Sequence, residues 1–416
     1  MAGQQTAESL AIDGGEPIAA DFEVPDWPTP ADNSLEYVQE CVESGAWCRL
    51  NGDATFVETF EEAYTTYHDA DHGIAVANGT VAIELALRMC GIEPGDEVLV
   101  PAYTFIATAG AVACMGGVPR FVDVDPRTCN LDPDAVREAI TEDTVGIVGV
   151  HFGGYPMDLD ELTDIVDEHG LFFIEDAAHA HGTEWRGEKV GTFGEVGTFS
   201  FQASKCLTAG EGGIVLTDDD LLAEDGELLH NIGRVPGKPG YRHYVLSSNY
   251  RMAELQAALL TAQFEAFPDE FERRAENAQF LDDALSGIPG IEIQPPDERI
   301  TQRGYANYTA FFDPAGFEGV DRDTFVDALS AEGIHVGTGY GHPLTEQPAV
   351  ARERLRSMLP EGVDVPFFRH QSLPGTREVI GSRLSFSQRY LLADRADLEL
   401  LPAAIEKVRD NVEELR

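Results

Sequence analysis

Phe199-Ser200-Phe201-Gln202-Ala203-Ser204-Lys205-Cys206-Leu207-Thr208-Ala209-Gly210-Glu211-Gly212-Gly213 is an apolar, strand-like run that breaks into a glycine-rich turn, with one lysine between the two. Together with the apolar segment 213–216 that follows, it reads as two buried strands joined by a tight excursion. The lysine is conspicuous because only four of the chain's 28 basic side chains are lysine. Arginine holds its proton too tightly to serve as an amine nucleophile, whereas a buried lysine can lose its proton and form a Schiff base. A lone buried lysine can equally be half of an ion pair, so its surroundings must decide.

Outward from this stretch, further apolar runs read as buried strands at 98–100, 120–124, 145–150, 171–174 and 197–201. Helical patterns at 132–140, 158–169 and 219–231 separate several of them, with Gly170 placed as a helix stop. Earlier, Leu35, Val38 and Val42 mark a short helix capped at Asn33 and stopped at Gly45. Phe56, Phe60, Ala63, Tyr64 and Tyr67 mark a second. This alternation predicts an α/β domain around a mainly parallel sheet. A long charged helical region follows from 251 to about 285. Beyond Gly287-Ile288-Pro289-Gly290 come short strands at 291–293, 308–312 and 334–336, a helix near 321–332 and a terminal helix near 395–415. The expected organisation is an N-terminal arm over 1–30, a large domain over 31–265 and a smaller α+β domain over 266–416.

The charge balance is extreme: 74 acidic residues against 28 basic give a net charge of −46. The acid is dispersed through predicted helices, as at Glu36, Glu40 and Glu43, and does not form a tail. Such a composition reads as adaptation to high salt, where ions screen the self-repulsion. It argues against nucleic acid as a partner, since phosphate binding needs a basic footprint. The six cysteines (41, 48, 90, 114, 129 and 206) form no C-x-x-C pair and no zinc-ligand spacing, so no metal is expected. They read as thiols of a reducing cytoplasm. Glu8 and Asp13 stand where a signal peptide would need a basic and then an apolar region, which places the protein in the cytoplasm. The uncharged stretch 98–119 is long enough to span a bilayer, but Pro101, Gly110, Gly116 and Gly117 interrupt it. A buried strand, turn and helix is the better reading, with no membrane partner.

Asn78-Gly79-Thr80 opens the helical run Val81-Ala82-Ile83-Glu84-Leu85-Ala86-Leu87. Backbone N–H groups there suit a phosphate, and the same triplet suits a plain turn and cap. Asp176 ends the apolar run that begins at Leu171. Asp125 and Asp218 occupy similar places, so position alone decides little. Considered together, a helix-start cradle, a strand-end acid and a lysine in a later strand-turn are the parts that pyridoxal phosphate requires.

The sequence resembles the DegT/DnrJ/EryC1/StrS aminotransferases, pyridoxal-phosphate enzymes of amino-sugar and aminocyclitol biosynthesis. The resemblance covers nearly the whole chain. It is carried by Ala77-Asn78-Gly79-Thr80, by Gly95-Asp96-Glu97-Val98-Leu99-Val100-Pro101-Ala102-Tyr103-Thr104-Phe105 and by Phe121-Val122-Asp123-Val124-Asp125-Pro126. Ile174-Glu175-Asp176-Ala177-Ala178-His179-Ala180, the Lys205 segment and Ser248-Asn249-Tyr250-Arg251-Met252 complete it. It implies the fold type I, aspartate-aminotransferase-like architecture, with a large mainly parallel-sheet domain and a smaller C-terminal α+β domain.

The resemblance also implies roles. Lys205 would form the Schiff base with the cofactor, Asp176 would pair with its ring nitrogen, and His179 would lie near its phenolic oxygen. Phe105 would stack on the ring. Gly79, Thr80 and Ser200 would bind its phosphate, with Asn249 reaching the same phosphate from the second subunit of a homodimer. Singly, Phe105 suits a core, Ser200 a strand hydroxyl and Asn249 a cap before the helix at 251.

The chemistry implied is ping-pong transfer of an amino group from glutamate or glutamine to a keto-sugar or keto-cyclitol. The opening Leu10-Ala11-Ile12-Asp13-Gly14-Gly15-Glu16-Pro17 and the Gln202-Ala203-Ser204 variant are similar to the branch with scyllo-inosose aminotransferases and aminohydroxybenzoate synthases. His230-Asn231-Ile232-Gly233-Arg234 and Tyr241-Arg242-His243-Tyr244 gather basic and aromatic groups that suit substrate carboxylate or hydroxyls. They equally suit a solvated helix end and loop. Two rival classes remain: a sugar dehydratase, whose histidine in place of the lysine this chain lacks, and a non-catalytic scaffold, which would need neither Lys205 nor Asp176.

Overall fold

The computed structural model describes residues 9–50, 55–235, 238 and 240–416. The first eight residues of the expected arm, Glu8 among them, lie outside the described residues. The larger sheet is built from β1 (His72–Val76), β2 (Glu97–Pro101), β3 (Val118–Val122), β4 (Thr144–Val150) and β5 (Phe172–Asp176). After a short ribbon, β6 (Glu184–Trp185) and β7 (Glu188–Lys189), it is completed by β8 (Val196–Ser200) and β9 (Gly213–Thr217). The spatial order is β1-β9-β8-β5-β4-β2-β3. From β8 through β3 all pairings are parallel, while β9 is antiparallel to both neighbours. Only β9 therefore runs against the other strands.

The strands are apolar on both faces because helices cover both. Alternation sorts their side chains: Leu99, Ile147, Phe173, Phe199 and Ile214 join one buried cluster, and Val98, Val148, Ile174, Val196 and Val215 the other. The connecting helices start where the sequence supplies acceptors. Asp132, Asp158 and Asp219 accept the first free N–H groups of Pro133–Ala139, Leu159–His169 and Asp220–His230. Gly170 ends the second of these at φ 64°, a conformation that glycine adopts without strain. The stretch 98–119 folds as β2, a turn, the helix Ala107–Cys114 and the start of β3. No helix among the described residues is long and apolar enough to cross a membrane.

The continuous helix Glu254–Leu285 leads to β10 (Ile291–Ile293), β11 (Ile300–Gln302), β12 (Asn307–Phe312) and β13 (Arg383–Ser387). β10, β12 and β13 form an antiparallel sheet, while β11 joins β6 and β7. Tyr308, Phe312, Leu384 and Phe386 pack there with Phe325, Leu329 and Ile405, and the arm adds Leu10, Ala19 and Phe22. Leu344, Leu355 and Phe368 return to the larger sheet and pack with Val98 and Val100.

Several local expectations change. The stretch 334–336 is not a strand; it is extended chain followed by a single bridge from Gly337 to Ser385, and β13 takes the sheet position. Asn33 precedes the helix Ser34–Ser44, but its side chain accepts none of the helix N–H groups and its amide nitrogen donates to Glu265. The long helix starts at Glu254, so Asn249 is not its cap.

Candidate active site

Strands that run the same way bring their carboxyl ends to one edge, where α/β sheets place ligands. There β5 ends at Asp176, β8 ends at Ser200, and β1 leads through Asn78 into the helix Gly79–Met89. β9 starts at the same edge, with Gly213 opposite Ser200. A cavity of about 720 Å³ opens between them. It is lined by Gly79, Thr80, Phe105, Asp176, His179, Ser200 and Lys205, which is every site residue named from the sequence except Asn249.

Asn78 is both turn and cap: its extended backbone (φ −168°) lets the side-chain Oδ1 accept the Val81 N–H at 3.1 Å. The N–H groups of Gly79 and Thr80 begin the helix and have no intrahelical acceptor. Free N–H groups at the positive end of a helix make a site for an anion. Two glycines permit the close approach. A β-carbon on Gly79 would fall 2.5 Å from that of Ser200, and one on Gly213 would fall 2.7 Å from the Asn78 carbonyl. The Ser200 hydroxyl accepts the Gln202 N–H at 3.4 Å, so its own proton remains available to donate.

Opposite the cradle, Asp176 is buried and accepts from the Thr108 hydroxyl at 3.0 Å and the Ala178 N–H at 3.2 Å. Burial pushes its carboxyl up, against the pull of Lys205 and these donors. Burial likewise pushes the Lys205 amine down, against the pull of Asp176. The loop that carries Lys205 is tightly bonded. The Lys205 N–H donates to Gln202 O at 2.8 Å, Ala203 N–H to Gly210 O at 3.0 Å, and the Thr208 hydroxyl to Phe201 O at 2.8 Å. Asp125 and Asp218 do not share this role: Asp125 accepts the Arg127 and Thr128 N–H groups of its own turn, and Asp218 accepts the Asp71 N–H just before β1.

Glu175 points to the other face of β5 and went unread in the sequence. It accepts the N–H groups of Gly191, Phe193 and Gly194 and faces His151 Nε2 at 2.8 Å. Met157 N–H donates to His151 Nδ1 at 3.2 Å, so the ring proton sits on Nε2 and is donated to the carboxylate. Burial alone would push Glu175 up, but His151 and the N–H donors hold it below the ordinary carboxylate value. The carboxylate thereby fixes the turn that enters β8.

A family model described as the DegT/DnrJ/EryC1/StrS aminotransferase family matches residues 28–378. The chain belongs to that family. The L-glutamine:2-deoxy-scyllo-inosose aminotransferase of Micromonospora echinospora is 37% identical, with 98% of this chain aligned to 99% of that one. The L-glutamine:scyllo-inosose aminotransferase of Streptomyces griseus is 36% identical, again over 98% and 99%. Among solved structures, 3-amino-5-hydroxybenzoic acid synthase superposes with a TM-score of 0.82 at 32% identity, covering 96% of this chain and 100% of that one. The protein is an aminotransferase with the fold type I, aspartate-aminotransferase-like architecture.

The remaining site groups of this DegT-family aminotransferase fall into two sets. Inside the cavity, His179 Nδ1 accepts the Gly153 N–H at 3.2 Å. Burial, helped by Lys205 and Arg383, holds the ring neutral, so its proton sits on Nε2. Phe105 remains 58% exposed, an apolar ring held open at the cavity wall. Tyr340 also lines the cavity; it arrives from beyond residue 333, and nothing local in the sequence announced it. Outside the cavity of the single chain lie Asn249, whose Oδ1 accepts the Arg251 N–H at 3.2 Å, and the exposed Tyr241-Arg242-His243-Tyr244 segment. That segment folds on itself, with Arg234 over the Tyr241 ring and His243 Nδ1 2.7 Å from Ile232 O.

Proposed function

We propose that this aminotransferase binds pyridoxal 5'-phosphate in the cavity and carries the amino group of L-glutamine to the ketone carbon of a scyllo-inosose-type cyclitol. One observation carries the reading: the Lys205 amine and the buried Asp176 carboxylate line the cavity whose far wall offers two free helix N–H groups and a hydroxyl. The residues present suit the cofactor. Gly79, Thr80 and Ser200 would hold its phosphate, Asp176 its ring nitrogen, His179 its phenolic oxygen and Phe105 the face of its ring. When bound, the cofactor supplies an aldehyde that condenses with amines and a ring that accepts electrons.

The chain's own side chains then divide the work. Lys205, with its amine pushed down by burial, gives up its proton more readily and so suits the roles of nucleophile and of base toward the donor's Cα proton. Asp176, held in place by Thr108 and Ala178, would pair with the cofactor's ring nitrogen. His179 offers an Nε2–H to an oxyanion. Return of the proton by Lys205 serves the second half-reaction, in which the acceptor takes the amine. The choice of glutamine and of a cyclitol follows the relatives aligned over nearly their whole length, and glutamate or a keto-sugar is the alternative pair.

The same reading includes a homodimer with shared active sites, in which Asn249 reaches the phosphate of the other chain, and a home in a salt-rich cytoplasm without nucleic-acid or membrane partners. Retention of Lys205 and Asp176 in one cavity speaks against a scaffold and a dehydratase alike. The test is direct. Purified protein with added cofactor is given L-glutamine and either scyllo-inosose, 2-deoxy-scyllo-inosose or a nucleotide-linked keto-sugar, and the amine product is weighed by mass spectrometry. An aminated cyclitol is expected. Amination of the nucleotide sugar alone would overturn the acceptor, and failure to take up any cofactor would overturn the reading itself.

A further inference from the structure

Lys205 is held from a direction that none of the site residues explains. Its carbonyl oxygen accepts the indole N–H of Trp27 at 3.1 Å, and no other bond to that oxygen occurs among the described residues. Trp27 comes from the N-terminal arm, 178 positions earlier in the chain. Its ring is backed by the Arg274 guanidinium at 5.1 Å, a stacking contact between cation and π face. Arg274 is buried in turn, with Nε donating to Gln388 at 2.8 Å and a terminal nitrogen donating to Glu270 at 3.0 Å.

The arm around Trp27 is fixed on both sides. Arg389 donates to the carbonyls of Pro25 and Val24 at 2.6 and 3.1 Å. Gln263 of the long helix donates to Thr29 O at 3.1 Å and accepts from Ala31 N–H at 2.9 Å. An unbroken line of contacts thus runs from the turn after β13 through Arg274 and Trp27 to the peptide of Lys205.

A lysine that must act both as nucleophile and as base moves its amine by rotating a long, flexible side chain. That movement is productive only if the backbone at its root stays fixed, since misplacement by about 1 Å costs up to about a hundredfold in rate. The N–H groups inside the Lys205 loop fix its strand side; the Lys205 carbonyl has, among the described residues, Trp27 alone. We infer that Trp27 is a positioning residue for Lys205, its indole N–H holding the lysine's peptide so that the amine stays directed into the cavity. The inference rests on Lys205 being the cofactor lysine.

The experiment begins with the parent protein loaded with pyridoxal phosphate, reduced with borohydride and digested. The cofactor mass on the Lys205 peptide secures the premise; its appearance on another lysine removes the premise and the inference together. Trp27→Phe, which retains a ring against Arg274 but has no N–H, is then compared with the parent. The expected result is a kcat about tenfold lower, with KM for the amino donor within about twofold. In the cofactor-free protein, the pH midpoint for acylation of Lys205, followed by mass spectrometry, is expected to move. Lys407 on the terminal helix serves as an internal reference. Incorporation of benzothienylalanine at position 27 exchanges only the N–H for sulfur and covers the case in which Trp27→Phe fails to fold. A folded variant with parental kcat and a parental Lys205 midpoint would overturn the inference. So would a rate loss that saturating cofactor fully restores.

Discussion

Gly79 lies against Ser200 so closely that a β-carbon on the glycine would stand 2.5 Å from the serine's own and 3.0 Å from its hydroxyl oxygen. The first residue of a helix and the last residue of β8 are thereby two walls of one cradle. The approach would let the free N–H groups of Gly79 and Thr80 act on the same anion as the Ser200 hydroxyl.

Gly79→Ala therefore forces the helix start and β8 apart. Overpacking at such a contact costs about 1–3 kcal/mol. The expected outcome is a lower melting temperature for the cofactor-free protein and at least a tenfold weaker hold on pyridoxal phosphate. Gly381→Ala makes the comparison, since nothing lies within 4 Å of the added carbon there and its stability is expected to stay at or above the parent's. Equal effects at the two positions would contradict the cradle.

Lys205→Ala and Asp176→Asn separate the amine from its partner acid. Lys205→Ala is expected to lose the visible band of the loaded protein and several orders of magnitude in turnover. Asp176→Asn retains an acceptor for Thr108 but not the charge; the band is retained and the rate falls about 10²- to 10⁴-fold. Spectra and single-turnover rates measure both. Substantial turnover in either variant would remove the assigned roles.

Much of this architecture was legible because the strands carry continuous apolar runs and the helices carry acceptors at their starts. The apolar stripe Phe56, Phe60, Ala63, Tyr64 and Tyr67 falls within one helix, Phe56–Tyr67. β1 escaped notice because His72 and Gly73 blur a five-residue strand at the sheet's edge. β13 escaped because Arg383, Ser385 and Ser387 leave only the inward pair Leu384 and Phe386 as apolar signal. The site residues were legible where chemistry is concentrated in short motifs, as at Asn78-Gly79-Thr80 and at Asp176 and His179. Thr108, Tyr340 and Trp27 were not, since each acts through a tertiary approach that no local pattern encodes.

Beneath Ser200, buried His181 faces the Tyr64 hydroxyl at 2.7 Å through Nδ1 and Ser200 O at 3.1 Å through Nε2. His68 stacks on Tyr64 nearby. Burial pushes both histidines down to about 3. An unfolded histidine titrates near 6.5. Between those values the unfolded chain binds protons that the folded chain refuses, so stability falls as pH drops from about 6.5 toward 3. The slope is at most about 1.4 kcal/mol per pH unit for each histidine. Above pH 7 the two contribute no pH dependence. Urea midpoints at pH 7 and 5 are expected to differ less in His181→Gln than in the parent; equal differences would refute the account.

A net charge of −46 predicts a second dependence on conditions. Self-repulsion of dispersed carboxylates is screened by added salt, with a Debye length of about 3 Å at 1 M. The melting temperature is expected to rise between 0.1 and 2 M KCl, more steeply than a compact protein of balanced charge would show. A flat or falling curve would leave the acidic composition without the proposed role.

Asn249 tests whether the site is shared. It is exposed in the single chain and absent from the lining of the cavity that holds Lys205. If a second chain's Asn249 completes each cradle, Lys205→Ala and Asn249→Ala disable different chains of the same site. Unfolded together and refolded as a mixture, the two variants form hybrid dimers. One site of each hybrid then carries both defects and the other carries none. Two-fold symmetry and random pairing predict recovery of about a quarter of parental activity, although each variant alone is nearly inactive. Sites complete within one chain would leave Asn249→Ala active by itself, since Asn249 lies outside that chain's own cavity, and mixing would give no more than the average of the two variants. The mixing experiment needs only a colour change or an amine assay, and its answer does not depend on which cyclitol is the acceptor.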